Sequence, residues 1–163
     1  MRVVAGKAKG VTLKTPEGMQ TRPTADRVKE AMFSIIQFDL PGAAVLDLFG
    51  GTGQLGIEAI SRGAKSAVFV DAADKACGLI RENLKRARME SEGRVVKGDY
   101  LSFLKSSREK FDVILLDPPY AEDFLEKSLK KPHDCRNPRN PTGRNGPHRA
   151  SQIDFPPLFG SCL

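Results

Sequence analysis

The residues best equipped for chemistry stand where one apolar run ends. In "FDVILLDPPY" four consecutive apolar side chains, Val113 to Leu116, read as a strand buried on both faces. The strand stops on a carboxylate, two prolines and an aromatic: Asp117, Pro118, Pro119 and Tyr120. Prolines fix φ and carry no amide hydrogen, so this loop is stiff and its carbonyls stay free to accept hydrogen bonds. Asp117 and the Pro118 carbonyl can together accept from an exocyclic amino group and orient its weakly nucleophilic nitrogen, which is catalysis by placement and electrostatics. Tyr120 offers a flat face on which a base rotated out of its stack can lie. A merely rigid turn explains the prolines but not the acid and the aromatic together.

A second constellation precedes it. "LDLFGGTGQLG" places Gly51, Gly53 and Gly56 in a G-x-G-x-x-G between a strand and a helix, with Phe49 in the same loop. Glycines let the backbone turn sharply and approach a ligand, and the helix start beyond them carries partial positive charge. Taken alone, that fits a dinucleotide as well. Asp71, about twenty residues further on at the end of "SAVFVD", would hold ribose hydroxyls in either case. Asp47 tips the balance, because its charge points towards the place a pyrophosphate would occupy, whereas an ammonium and a sulfonium would welcome it. That favours S-adenosylmethionine over a nicotinamide cofactor. Asp99, after the third strand, can accept from an adenine amino group. Each of these acids has a plainer alternative as a helix N-cap.

The elements that must position these groups alternate. "RVVAG" and "VTLK" flank the turn-rich "KAKG" and predict an N-terminal β-hairpin with lysines at its tip. A helix follows, capped by Thr24, with Val28, Met32, Ile35 and Ile36 on one face. After Pro41-Gly42 come strands at "AAVLDL", "SAVFVD", "RVVKGD" and "FDVILLD", separated by helices at "QLGIEAISR", "ADKACGLIRENLKRAR" and "YLSFLKSS". The middle helix puts Ala76, Ile80, Leu84 and Ala87 inward. Repeated β-α-β order implies an α/β fold, a parallel sheet with helices on both faces.

Composition bounds the partners. With 163 residues, 40% hydrophobic and 28% charged, the chain is expected to be one soluble globular domain. No apolar stretch approaches a membrane span and "MRVVAGKAKG" is no signal peptide, so a cytoplasmic location is expected. Cys77, Cys135 and Cys162 form no C-x-x-C pair, and His133 and His148 complete no ligand set, so neither a metal nor a disulfide framework is expected. The net charge of +6 favours a polyanion. It gathers at the N-terminus, where Arg2, Lys7, Lys9, Lys14, Arg22, Arg27 and Lys29 face Glu17, Asp26 and Glu30.

Residues 132–163 speak another language, with six of the eleven prolines, both histidines, and neither lysine nor glutamate. That composition fits a disordered tail or a shifted reading frame. Gly146 to Ala150 can be encoded GGG CCT CAT CGT GCT, which one nucleotide later reads Gly-Leu-Ile-Val-Leu, a buried strand.

With both motifs in view, residues 1 to about 131 resemble the Rossmann-like S-adenosylmethionine-dependent amino methyltransferases with a D-P-P-Y signature. More closely, they resemble the bacterial 16S ribosomal RNA guanine-N2 methyltransferase family often called RsmD. "MRVVAGKAKG", "TRPTADRVKEAMFSII", "LDLFGGTGQLGIEAISRGA", "VFVD", "NL", "GD" and "DPPY" occur in family order, and the "TRPT" block is the most family-specific. The resemblance implies that Arg22, Thr24 and Arg27 lie near the cofactor or catalytic pocket. It also implies that the basic hairpin, with Arg2, Lys7 and Lys9, engages 16S ribosomal RNA or the small ribosomal subunit. The organisation expected is a hairpin over 1–20, a methyltransferase domain over 21–131 and an aberrant tail over 132–163. Members of the family continue with further strands, which are absent here as written. The "VILLD" strand then loses its outer neighbours, an aggregation hazard, and this chain is expected to be poorly folded or inactive. Other readings are adenine-N6 methylation of DNA or RNA, a non-catalytic RNA-binding remnant and, least favoured, a nicotinamide oxidoreductase.

Overall fold

Alternation of apolar runs with amphipathic ones produces the expected order of elements. The computed structural model describes residues 1–16 and 23–117, the side chains of 23–26 excepted. After an N-terminal hairpin come α1 (Pro23–Ile35), β1 (Ala44–Leu48), α2 (Gln54–Ser61), β2 (Ser66–Asp71), α3 (Asp74–Ala87), β3 (Gly93–Lys97), α4 (Tyr100–Ser106) and β4 (Val113–Leu116). Arg22, Pro118, Pro119, Tyr120 and the tail over 132–163 lie outside the described residues.

All strand pairs are parallel and the sheet order is β3-β2-β1-β4. The chain steps outward from β1 to β3, then returns to the other side of β1. That reversal makes a switch point between β1 and β4, and in open α/β sheets ligands bind outside the carboxyl ends of the strands at such a point. Two apolar clusters cover the two faces. Val45, Phe69 and Leu115 pack with Phe33, Ile57, Ile60 and Ile80 from α1, α2 and α3. Leu46, Leu48, Val68 and Val70 pack with Tyr100 of α4.

The hairpin shares the first core rather than standing apart, since Val3, Ala8 and Leu13 are buried in it. Its two arms meet through one antiparallel bridge, Arg2 to Thr12, and backbone bonds such as Val3 N–H to Val11 O at 3.0 Å. What holds it is the flank of α2. Glu58 accepts from the amides of Val4 and Ala5 at 2.8 and 3.0 Å, and Ser61 O accepts from Lys7 N–H at 2.8 Å. Ser61 Oγ accepts from Ala8 N–H at 3.0 Å. Gly6 has φ +82°, and a Cβ there would lie 1.8 Å from Ser61 O. Gly6→Ala should therefore lift the hairpin off α2 and cost about 1–3 kcal/mol. A urea melt unchanged by the substitution would show that the hairpin does not dock in solution.

Three expectations are corrected here. First, the buried face of α1 is turned. Val28 and Ile35 are 60% and 75% exposed, Met32 is half-buried, and Lys29, Phe33 and Ile36 point inward. The cause is Lys29, 2% exposed, whose Nζ donates to Arg2 O at 2.7 Å and lies 3.5 Å from Glu58. A lysine drawn to a buried acid fixes the rotation of the helix. Second, α1 begins at Pro23, so Thr24 sits inside the first turn and is not its cap. Proline suits that first position because its missing amide hydrogen would have had no helical partner there. Third, β4 is not buried on both faces. Leu115 is buried, while Ile114 and Leu116 are 51% and 38% exposed, because β4 forms an edge of the described sheet. No described helix is long and apolar enough to cross a membrane.

Candidate active site at the β1–β4 switch point

The glycine loop leaves β1 in a conformation few residues tolerate. Phe49 has φ +65°, followed by Gly51 at +55° and Gly53 at +76°. Positive φ at a bulky residue is strain that the surroundings must hold. Here the amides of Phe49 and Gly50 both donate to Val70 O, at 2.9 and 3.1 Å. The Phe49 ring rests 4.9 Å from that of Tyr100. Gly53 is the N-cap of α2. Gly56 does something else: a Cβ there would fall 2.2 Å from the Phe69 ring, so this glycine lets α2 press against β2. Gly56→Ala should cost about 1–3 kcal/mol in a denaturant melt and loosen the loop with it.

Two of the three strand-end acids serve the loop. Asp47 is buried and its Oδ2 accepts from Gly56 N–H at 2.9 Å. Burial pushes its carboxyl up to about 8, helped by the negative charges of Asp117 and Asp71 and opposed by the Gly56 hydrogen bond. Between pH 3.8 and about 8 the folded chain therefore holds a proton that the unfolded chain has lost. Stability must fall as pH rises through that window. Asp47→Asn should remove this slope, so that the variant gains on the wild type from pH 5 to pH 8 in paired urea titrations; parallel curves would contradict the burial of a neutral acid. Asp71 braces the loop from β2, its Oδ2 accepting from Gly51 N–H and its Oδ1 from Ala73 N–H, each at 2.9 Å. It does not cap α3, whose N-cap is Ala73. Asp99, by contrast, is the N-cap of α4, with Oδ2 accepting from Ser102 N–H at 2.9 Å. There the capping alternative holds.

Asp117 is exposed, directly after β4, and partial desolvation raises its carboxyl above the usual carboxylate range. Leu116 pairs with Leu48, so Asp117 follows at the carboxyl end of the sheet, across the switch point from the glycine loop. Gln54, the first residue of α2, has a buried side-chain oxygen with no hydrogen-bond partner among the described residues. Asp47, raised mainly by burial and further by Asp117 and Asp71, and the orphaned acceptor of Gln54 suit a ligand that brings positive charge and N–H donors. A pyrophosphate would add negative charge there. No metal-binding cluster of His, Cys, Asp or Glu occurs among the described residues.

The basic candidates divide. Arg2, Lys9 and Arg27 are exposed. Lys7 pairs with Glu92 at 2.5 Å and Lys14 with Glu82 at 2.9 Å, so acids from α3 and the turn beyond it offset charge that looked uncompensated along the sequence.

The roles of two organising residues went unread in the sequence. Glu58 is the only carboxylate on α2, a helix buried nearly all round, and an acid in such a setting must be partnered. Asn83, buried on α3 between Ile80 and Ala87, belongs to the "NL" motif, for which no role was legible in the sequence. It accepts from Lys14 N–H at 2.7 Å and donates to Lys14 O at 3.0 Å and to Thr52 O at 2.8 Å.

Comparison with known proteins gives the family and the fold. The model of the family described as conserved hypothetical protein 95 matches residues 1–134. Ribosomal RNA small subunit methyltransferase D of Haemophilus influenzae is 34% identical over 132 residues, covering 79% of this chain and 68% of its own length. YlbH of Bacillus subtilis, named for an inferred rRNA methyltransferase activity, is 42% identical over 132 residues, 79% of this chain and 72% of its own. Among solved structures, the Escherichia coli protein yhhF, also described as an inferred methyltransferase, superposes with a TM-score of 0.71 at 28% identity, covering 80% of this chain and 70% of that one. The fold is Rossmann-like, and the chain belongs to the conserved hypothetical protein 95 family of methyltransferases, that of ribosomal RNA small subunit methyltransferase D.

Proposed function

We propose that the site transfers a methyl group from S-adenosylmethionine to the exocyclic amine of a guanine in small-subunit ribosomal RNA. The observation that carries this reading is the pairing of β4 with β1, Leu116 opposite Leu48, which brings Asp117 and the glycine loop to the same carboxyl edge of the sheet. When bound, S-adenosylmethionine would supply an electrophilic methyl group, with S-adenosylhomocysteine as the leaving group and the amine proton released to solvent.

The chain's own residues do the rest. The turns at Gly51 and Gly53 bring backbone close to the cofactor, and Asp71 sets a negative potential that favours its positive end, while Asp47, neutral below about pH 8, holds the start of α2 through Gly56 N–H. Asp71 also reaches ribose hydroxyls, and Asp99 keeps a role at the adenine beyond its cap. Asp117, with the Pro118 carbonyl, accepts from the target amine and aims its lone pair, while Tyr120 stacks on the extruded base. Arg2, Lys9, Arg22 and Arg27 meet the RNA backbone.

Titration with S-adenosylmethionine, then methylation of unmodified 16S RNA with the product nucleoside identified by mass spectrometry, tests the reading. N2-methylguanosine is the expected product. N6-methyladenosine would replace the acceptor, cofactor binding without transfer would make the chain a binding remnant, and absence of cofactor binding would overturn the proposal.

A further inference from the structure

The glycine loop is held from outside its own β-α unit. Asn83 uses one amide for three bonds: its Oδ1 accepts from Lys14 N–H, while Nδ2 donates to both Lys14 O and Thr52 O. Thr52 lies between Gly51 and Gly53, and its hydroxyl also reaches Met1 Sδ at 3.5 Å. The segment that follows the basic hairpin is thus pinned to the same side chain as the centre of the loop. Asn83 is fully buried, so a lost bond here is not replaced by water.

We propose that Asn83 is a positioning residue for methyl transfer, which fixes the glycine loop against the N-terminal strap so that cofactor affinity depends on the docking of that strap. Coupling of this kind is reciprocal. A polyanion that steadies residues 1–16 would tighten the cofactor, and the cofactor would tighten the polyanion. The inference rests on the reading of the loop as the cofactor site, and it goes beyond it in naming what holds the loop.

Asn83→Asp is nearly isosteric. It keeps the acceptor for Lys14 N–H, removes both donors, and sets a carboxylate against two carbonyls. Hydrogen exchange by mass spectrometry on the full chain reads the coupling without any ligand, and titration with S-adenosylhomocysteine reads its consequence. Exchange over residues 1–16 and 49–56 should rise together about tenfold, with α4 unchanged, and the Kd for S-adenosylhomocysteine should rise about tenfold while saturating turnover changes little. Should Asn83→Asp not fold, Lys14→Pro removes the amide donor at the strap while fixing φ there, and Lys14→Ala controls for the loss of the side chain and its Glu82 pair. Faster exchange over 49–56 in the proline variant alone is then the expected result. Uniform loosening of the whole chain, or an unchanged loop, would overturn the proposal. If the wild type binds no S-adenosylhomocysteine, the methyl-transfer reading fails, and the exchange arm still decides whether Asn83 couples strap to loop.

Discussion

Glu58→Ala is expected to lower the stability of the folded chain by about 3–5 kcal/mol, the range found when one member of a buried ion pair is removed. Glu58 is fully buried, and its two oxygens accept from Val4 N–H, Ala5 N–H and Arg62 Nε, with Lys29 Nζ at 3.5 Å. Its loss takes a carboxylate away from a buried ammonium, which keeps its bond to Arg2 O, and leaves two amides without their acceptor. Arg62, which also lies over the Phe33 ring at 4.9 Å, loses the partner that holds it there. Because a domain's whole stability is about 5–15 kcal/mol, the variant should be partly unfolded near 37 °C. Glu58→Gln, which keeps the acceptor and the volume, should cost less than alanine. Urea melts of the three proteins decide this; an alanine variant within about 1 kcal/mol of the wild type would mean that the ion pair is not buried in solution.

Asp117→Ala should reduce kcat by about 10²–10³, the loss typical when one preorganised polar contact to the transition state is removed. Binding of S-adenosylmethionine should hardly change, because Gly51, Gly53 and Asp71 are untouched. The pH profile supplies a second check. The carboxyl of Asp117 is raised by desolvation, and the reaction needs it as an acceptor, so activity should fall on the acid side at a pH above the usual carboxylate range. That limb should vanish from the residual activity of Asp117→Asn. A variant with unchanged kcat would remove Asp117 from the reaction and leave the motif a structural turn.

Local pattern carried most of the fold. Apolar runs such as Val45–Leu48 (broken only by Asp47) and Ala67–Val70 are buried, and the glycine loop lies between strand and helix as read. Where reading along the chain failed, a partner distant in sequence was responsible. Apolarity alone put Val28 and Ile35 inside, but Glu58 draws Lys29 inward and turns the helix. The hairpin lysines looked unopposed until the fold delivered Glu82 and Glu92. At the site, residue type located Asp47 and Asp71 at the loop, whereas Asp99 needed the position of Ser102 to be recognised as a cap. Asn83 belongs to the "NL" motif but had no legible role in it, because its role is a meeting of three segments.

The docking of the hairpin has a consequence for the order of events during synthesis. Val4 and Ala5 find their partner 54 and 53 residues later, and Lys14 finds Asn83 69 residues later. The hairpin therefore leaves the ribosome well before the segments that hold it. At about 5–20 residues per second, its apolar side chains wait several seconds for α2 to emerge. A nascent chain halted before Glu58 should show these amides exchanging freely, and one halted after α3 has emerged should protect them.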